Sequence, residues 1–330
     1  MPVVAPAEKG TVDATVFIPT FNGEKYLDRL LTAVEQQDFP GTVEILIIDS
    51  GSTDGTLEII ARHPMVRLVQ ITQADFGHGK TRNQAAQLAR GKKIAYLSHD
   101  AVPASRAWLT ELLAPLDEPG CAAAYGKQIA RRDCFPSLKY EIAGVFAAGG
   151  PDGVVTYVEA PGADISALTG AELFYSDVNS ATTRKFLTEQ IAYRDLPYSE
   201  DLAFAKDVLA AGYRKAYVPG AVVEHSNDVT FSDYGKRIFD ESMGRRRLGE
   251  LSTPIGLGGM LARMLRDILR TDARILRDHD FSFATTLRWL MVNPAYIAKK
   301  WVNIRRASCV DLNDESAISR YSLETSRFKK

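Results

Sequence analysis

Over the first hundred positions, apolar and β-branched residues arrive in short uninterrupted runs. Residues 14–20 (ATVFIPT), 43–49 (VEILIID), 66–72 (VRLVQIT) and 93–100 (KIAYLSHD) each read as a buried strand, because a strand covered on both faces loses its polar alternation. Between them the period changes. Leu27, Leu30, Leu31 and Val34 recur at helical spacing, so 24–37 reads as a helix with Glu24 in its first turn, stopped by Phe39-Pro40-Gly41. A second helix follows the Ser52-Thr53-Asp54-Gly55 turn and runs to about Arg62. A third spans Thr81 to Ala89, after a Gly77-His78-Gly79 turn, and ends at Gly91.

Strand and helix thus alternate four times with short links, the pattern of a parallel sheet covered by helices. Such sheets bind ligands beyond the carboxyl ends of their strands. Polar clusters stand there: Thr20-Phe21-Asn22, Asp49-Ser50-Gly51-Ser52 and Ser98-His99-Asp100. Residues 115–165 mix Pro, Gly and short apolar stretches. Helical spacing returns at 202–211 and 232–250. Around 259–278 it places Leu261, Leu265, Ile268, Leu269 and Ile275 on one side and arginines on the other. Beyond Ala307 the chain reads as a loose polar tail.

Composition adds limits. The 330 residues are 45% hydrophobic and 25% charged, and the formal net charge of -1 points away from nucleic acid. Cys121, Cys134 and Cys309 have no metal-type spacing and fit a reducing compartment. No apolar run reaches the roughly 18–20 residues of a membrane span, and residues 1–13 read as a polar leader without a signal-peptide pattern, so a cytoplasmic protein is expected. Charge is uneven, however. Residues 236–306 carry 15 basic and 7 acidic side chains, which leaves the remainder acidic. A basic, amphipathic segment predicts either peripheral contact with an anionic membrane or a solvated helical face, and the same helices could form a homodimer interface.

The polar clusters have a chemistry of their own. Asp49, ending a buried strand, is placed to accept from a pyrimidine imide N–H, with Thr20 and Asn22 doing similar work on base or ribose. Alternatively, Asp49 and Ser52 merely shape their turn. Arg82 and Asn83 offer a fork of donors near a helix N-terminus, suited to a diphosphate or nucleoside edge, or else form an ordinary helix surface.

Taken in order, VFIPTFNG (16–23), ILIIDSGSTDGT (45–56), FGHGKTRNQAA (76–86), YLSHDAVP (96–103), SEDLAFAKDVLAAGY (199–213) and VEHS (223–226) resemble the family 2 glycosyltransferases. The resemblance implies the GT-A fold: α/β, Rossmann-like, with a mostly parallel central sheet and helices on both faces. The expected domain covers 14–228, with a helical C-terminal extension over 229–306 and the tail over 307–330. It further implies a nucleotide-sugar site at Thr20, Asn22, Glu24, Asp49, Ser52, Arg82, Asn83, Ser98 and His99. Ser98-His99-Asp100 stands where the family's Asp-x-Asp binds Mg²⁺ or Mn²⁺. Here the first acid is a serine, so Asp100 needs the late histidine, His225, and the diphosphate itself to complete a shell, unless His225 is a hydrogen-bonded core histidine. Glu200-Asp201 matches the acidic pair whose second member is the catalytic base of inverting members. Asp201 is the expected base and Glu200 the second choice, although acids are favoured at a helix N-terminus in any case.

FGHGKTRN, the form of 98–103 and SDVNSA (176–181) are similar to a rhamnosyltransferase subgroup. That implies dTDP-L-rhamnose as donor, a saccharide or polyprenyl-linked acceptor for cell-surface polysaccharide, and Asp177 and Asn179 lining the sugar or acceptor pocket. A non-catalytic nucleotide-sugar-binding scaffold is the alternative that Ser98 motivates. A sugar-phosphate nucleotidyltransferase would open on a Gly-rich basic loop, which 18–22 lacks. A processive synthase would carry membrane spans and Gln-x-x-Arg-Trp.

Overall fold

The computed structural model describes residues 12–156, 161–162, 164–165, 168, 170–250 and 253–323. Most of the expected leader and the last seven residues of the expected tail therefore lie outside the described residues. The chain divides into two compact units. The first holds residues up to 128 together with 146–195 and 200–225; the second holds 129–145, 196–199 and 226–330.

The first unit is built on strands β1 (Ala14–Thr20), β2 (Val43–Asp49), β3 (Val66–Gln70), β4 (Lys93–Leu97), β5 (Val102–Pro103), β6 (Cys121–Ile129), β7 (Val154–Thr156), β8 (Asn179–Thr183) and β9 (Arg214–Glu224). Their order is β3-β2-β1-β4-β8-β6-β9-β5, with β7 beside β9. The first four are mutually parallel, as their alternation with helices requires. β8 then runs antiparallel to both β4 and β6. This antiparallel half comes largely from the middle third, where the apolar pattern is broken by Pro and Gly.

Both faces of the parallel half are apolar. Val16, Ile18, Ile45 and Ile47 share one core with α1 (Leu27–Glu35), α2 (Thr56–Ala61) and α4 (Trp108–Leu113). The intervening positions turn to the other face, where Phe17 meets Tyr96 edge-on at 5.6 Å and Tyr193 stacks on Phe204 at 4.3 Å. This second face carries α3 (His78–Leu88), and the unit also holds α6 (Arg184–Glu189) and α7 (Glu200–Ala210). Several boundaries differ from expectation: α1 starts at Leu27, so Glu24 precedes the helix, and β3 ends at Gln70. β4 stops at Leu97, so Ser98-His99-Asp100 is a turn leaving the sheet. α3 starts at His78, not Thr81, so Gly79 lies inside the helix, where a Cβ would stand 2.1 Å from the Arg194 carbonyl oxygen.

The second unit contains most of α5 (Pro136–Ala147) and the helices α8 (Phe231–Arg247), α9 (Leu257–Ile275), α10 (Phe283–Cys309) and α11 (Glu315–Tyr321). Two expectations are corrected here. Ala307 is fully buried against Phe239 and Met243, and Glu315–Tyr321 is helical, so the start of the expected loose tail is packed structure. The α9 face is also rotated. Met260 and Ile275 are buried, and Met264 and Ile268 pack beside Trp301, while Leu261, Leu265 and Leu269 point to solvent. A helix with apolar residues over so wide an arc must choose one part of it to bury, and periodicity alone does not say which. Among the described residues no helix is long and apolar enough to cross a membrane.

Candidate active site

The loops leaving β1 and β2 are laced together. Asn22 donates its backbone N–H to Ser52 Oγ at 2.8 Å, and its side-chain oxygen accepts from Thr53 N at 2.8 Å. Glu24 accepts from Gly55 N at 2.7 Å, and Gly23 N donates to Thr56 Oγ1 at 2.8 Å. Asn22 adopts φ 49, a left-handed conformation that asparagine tolerates better than most residues. Asp49 is fully buried and accepts from the backbones of Gly51 and Ser52, both at 3.0 Å, and from Ser52 Oγ at 2.5 Å. Of the two readings of Asp49 and Ser52, turn shaping is the one these bonds display. His99 closes the same edge, with its ring 3.3 Å from where a Gly23 Cβ would stand; Thr20 Cγ2 is 3.4 Å from that point.

Asp100 is brought to His225 by the short pairing of β5 with the end of β9, Val102 opposite Glu224. His225 Nε2 lies 3.5 Å from Asp100 Oδ2. On its other side, His225 Nδ1 lies 2.9 Å from Gln128 Oε1, while Gln128 Nε2 donates to Ser176 Oγ at 3.1 Å. The contact with Gln128 Oε1 fits an imidazole that donates from Nδ1 and directs Nε2 toward the Asp100 carboxylate. A ring nitrogen and a carboxylate at that spacing can share a proton or flank a cation. Among the described residues no group of three His, Cys, Asp or Glu side chains is placed to hold a metal ion. The pair therefore fits a divalent cation as part of a shell that diphosphate oxygens would complete.

A second cluster adjoins this one through the backbone of Asp177 and Val178. Ser98 N donates to Val178 O at 3.2 Å, and the N–H of neighbouring Asp177 points to Asp201 Oδ2 at 3.4 Å. Asp201 and Glu200 form the first turn of α7, and Asp201 Oδ1 accepts from Leu202 N. Arg82 enters from α3. Its Nε is 2.9 Å from Asp177 Oδ2, and its Nη1 bonds Glu200 Oε1 and, at 3.0 Å, the His78 carbonyl. Asp177 also accepts from Tyr193 Oη at 2.9 Å and Ser180 Oγ at 2.5 Å.

Three carboxylates thus share one guanidinium in a site where charge is costly. Burial and then Glu200 and Asp177 push the Asp201 carboxyl up to about 8. Burial also raises Asp177, with Arg82 opposing it. Glu200 goes the other way: burial works against its charge, but Arg82 wins and holds it below the ordinary glutamate value. One uncompensated charge about 4 Å away is worth about 4 kcal/mol at the effective dielectric of a protein, enough to bring a carboxyl into the neutral range. Asp201 is the surplus acid and is the least buried of the three.

Several expected site residues have other work. Arg82, expected at a diphosphate, spends its guanidinium on Asp177 and Glu200 because two buried carboxylates need it. Asn83 brackets Tyr193, donating to its carbonyl and accepting from its N–H, each at 2.9 Å. Asn179 does not line a pocket. It is fully buried, donates to Ala221 O at 2.8 Å and Lys127 O at 3.2 Å, and accepts from Trp108 Nε1 at 2.9 Å, tying β8 to its neighbours. Conversely, Tyr193, Ser180, Gln128 and His78 join the site unforeseen. His78 Nδ1 is 4.0 Å from Glu200 Oε1. The FGHG context marked His78 in sequence and SDVNSA held Ser180, while nothing marked Tyr193 or Gln128.

A parallel half covered by helices, an antiparallel half and an acidic centre at the strand ends define a GT-A-type glycosyltransferase. Comparison with known proteins agrees. The family described as glycosyl transferase family 2 matches residues 15–152. The O-antigen chain rhamnosyltransferase RfbN of Salmonella typhimurium strain LT2 is 30% identical over 229 residues, covering 68% of this chain and 70% of that protein. WbaN of Salmonella anatum, described likewise, is 28% identical over the same length. Among solved structures, the mannosyltransferase PcManGT from Pyrobaculum calidifontis, in complex with GDP-Man and Mn²⁺, superposes with TM-score 0.52 at 18% identity, covering 99% of this chain and 86% of its own. The chain belongs to glycosyltransferase family 2.

Proposed function

We propose that the protein is an inverting, non-processive rhamnosyltransferase. It would move L-rhamnose from dTDP-L-rhamnose to a hydroxyl of a saccharide or lipid-linked saccharide in cell-surface polysaccharide synthesis. One observation carries the mechanism: Asp201, in the first turn of α7, is a partly exposed carboxylate beside Glu200 and Asp177, and burial and then these two acids raise its basicity. Such a group takes the acceptor's proton as its oxygen attacks C1 of the donor sugar on the face opposite the leaving dTDP, which inverts the anomeric centre. Arg82 holds Glu200 ionised and keeps both Asp177 and Glu200 in place around it. The laced loops at Asn22–Glu24 and Ser52–Gly55, with Thr20, Asp49 and His99, form the rim for the nucleotide. Asp100 and His225 would hold Mn²⁺ or Mg²⁺ with the donor's diphosphate, where the ion would neutralise the leaving group. The donor assignment is supported by the names of the two Salmonella relatives and by the FGHGKTRN and SDVNSA segments.

The test is a thermal-shift panel of nucleotide sugars with and without Mn²⁺, followed by product analysis. Stabilisation by dTDP-rhamnose that Mn²⁺ enhances, and a product of inverted anomeric configuration, is the expected result. Stabilisation by a UDP- or GDP-sugar instead would retain the transferase and discard rhamnose. Donor binding without turnover on any acceptor would favour the scaffold, which Ser98 in place of an acid motivates.

A further inference from the structure

The rotated face of α9 leaves a stripe of large apolar side chains in solvent. Leu257, Leu261, Leu265 and Leu269 follow one another at four-residue spacing and are 57%, 47%, 58% and 62% exposed. On α10, Phe283, Leu287 and Met291 repeat the spacing at 86%, 50% and 69%. α9 and α10 pack together through Met260, Ile297 and Trp301, so the stripes belong to one helical pair within one compact unit. The helices have buried what they can against each other and still expose a second hydrophobic surface. Scattered exposed leucines are ordinary; seven large apolar residues in two ordered rows are not.

Positive charge predominates around the rows, although Arg266 Nε lies 3.7 Å from Asp267 Oδ1 and exposed Asp280 stands between the rows in sequence. Arg263, Arg266, Arg270, Arg274 and Arg277 of α9 and its C-terminal turn, and Arg288 of α10, are all at the surface. The acids of α9 are engaged within the pair: Asp267 accepts from Trp301 Nε1 and Asp272 from Asn293 Nδ2, at 2.9 and 2.8 Å. An apolar row flanked by arginines whose stems can lie along it is the surface of a helix seated at an anionic interface. Two copies meeting face to face would bring the two arginine sets together, so charge favours lipid headgroups over a second chain.

We infer that the α9–α10 pair is a monotopic membrane-docking surface, which inserts Leu257–Leu269 and Phe283–Met291 at the headgroup boundary of an anionic bilayer and holds the headgroups with the flanking arginines. Docking of this kind goes beyond the transferase reading and does not depend on the donor. It would place the chain at the surface where a lipid-linked acceptor resides.

The experiment is co-sedimentation of the full chain with phosphatidylcholine vesicles containing about a quarter phosphatidylglycerol, and with pure phosphatidylcholine. The expected result is binding to the anionic vesicles that weakens with salt, and at least about tenfold weaker binding for Leu265→Glu/Leu269→Glu and for Arg266→Glu/Arg270→Glu. All four positions are exposed, so folding should survive, and an unchanged melting temperature checks this. Absence of vesicle binding at low salt, or binding indifferent to both double variants, would overturn the proposal. So would a concentration-dependent dimer abolished by Leu265→Glu/Leu269→Glu in a chain that ignores vesicles, which would assign the face to a second copy. Donor-induced thermal shifts measured on the same samples keep this outcome separate from the transferase reading.

Discussion

Arg82 Nε lies 2.9 Å from Asp177 Oδ2, while Nη1 of the same guanidinium bonds Glu200. An arginine that looks in sequence like a phosphate ligand is the counterion of two buried acids, and removing it would strand both. Arg82→Ala should destabilise the protein by about 3–5 kcal/mol, the usual cost of leaving a buried charge unpaired. Arg82→Lys keeps the charge but not the fork, so it should recover only part of that stability. Urea denaturation of the two variants reads the difference; wild-type stability for Arg82→Ala would contradict the pairing.

Asp201→Asn should leave donor affinity near wild type and lower turnover by at least about 10²-fold, the scale expected for loss of a general base. Initial rates with saturating donor, beside a donor titration, separate the two effects. Unchanged turnover would remove Asp201 from the reaction.

The raised Asp201 carboxyl has opposite consequences for rate and stability. A base works unprotonated, so kcat/KM should climb with pH and level off above about 8. The folded chain, however, retains a proton that the unfolded chain releases near 3.8. Stability from this group is therefore complete below that value and is lost as pH rises through about 8. Asp201→Asn should melt higher than the parent near pH 8, with the gap closing toward pH 4. A gap that does not vary with pH would refute the assignment.

Gln128 orients His225 through the 2.9 Å contact at Nδ1. Gln128→Leu removes that acceptor, frees the ring to take the other tautomer, and should weaken Mn²⁺ binding in the presence of dTDP by about 10–100-fold. Calorimetric titration of Mn²⁺ into the protein–dTDP mixture measures it, and an unchanged affinity would take His225 out of the ion's shell.

Asn179→Leu tests whether that residue is structural. It would strand the Trp108 indole N–H and leave the Ala221 and Lys127 carbonyls without their donor, at about 1–3 kcal/mol for each group left unsatisfied. The melting temperature should fall while KM for donor stays unchanged in the folded fraction. A selective rise in KM would return Asn179 to the pocket.

The parallel half of the sheet was legible in the chain because a buried parallel strand is a run of apolar residues, and its neighbours are close in sequence. The polar rim at 20–24, 49–55 and 98–100 was legible for the same reason: each segment directly follows its strand. The order and type of residues likewise identified the acidic pair at the start of α7. Tertiary structure alone decided which acid is surplus, because that depends on Arg82, Asp177 and Tyr193 converging from distant positions on a site with too little positive charge. It also decided that Gln128 governs His225, that Asn179 is a buried tie, and which leucines of α9 face water. A helical period records that a residue is apolar, but burial is settled by what packs against it, and α10 covers only part of the α9 face.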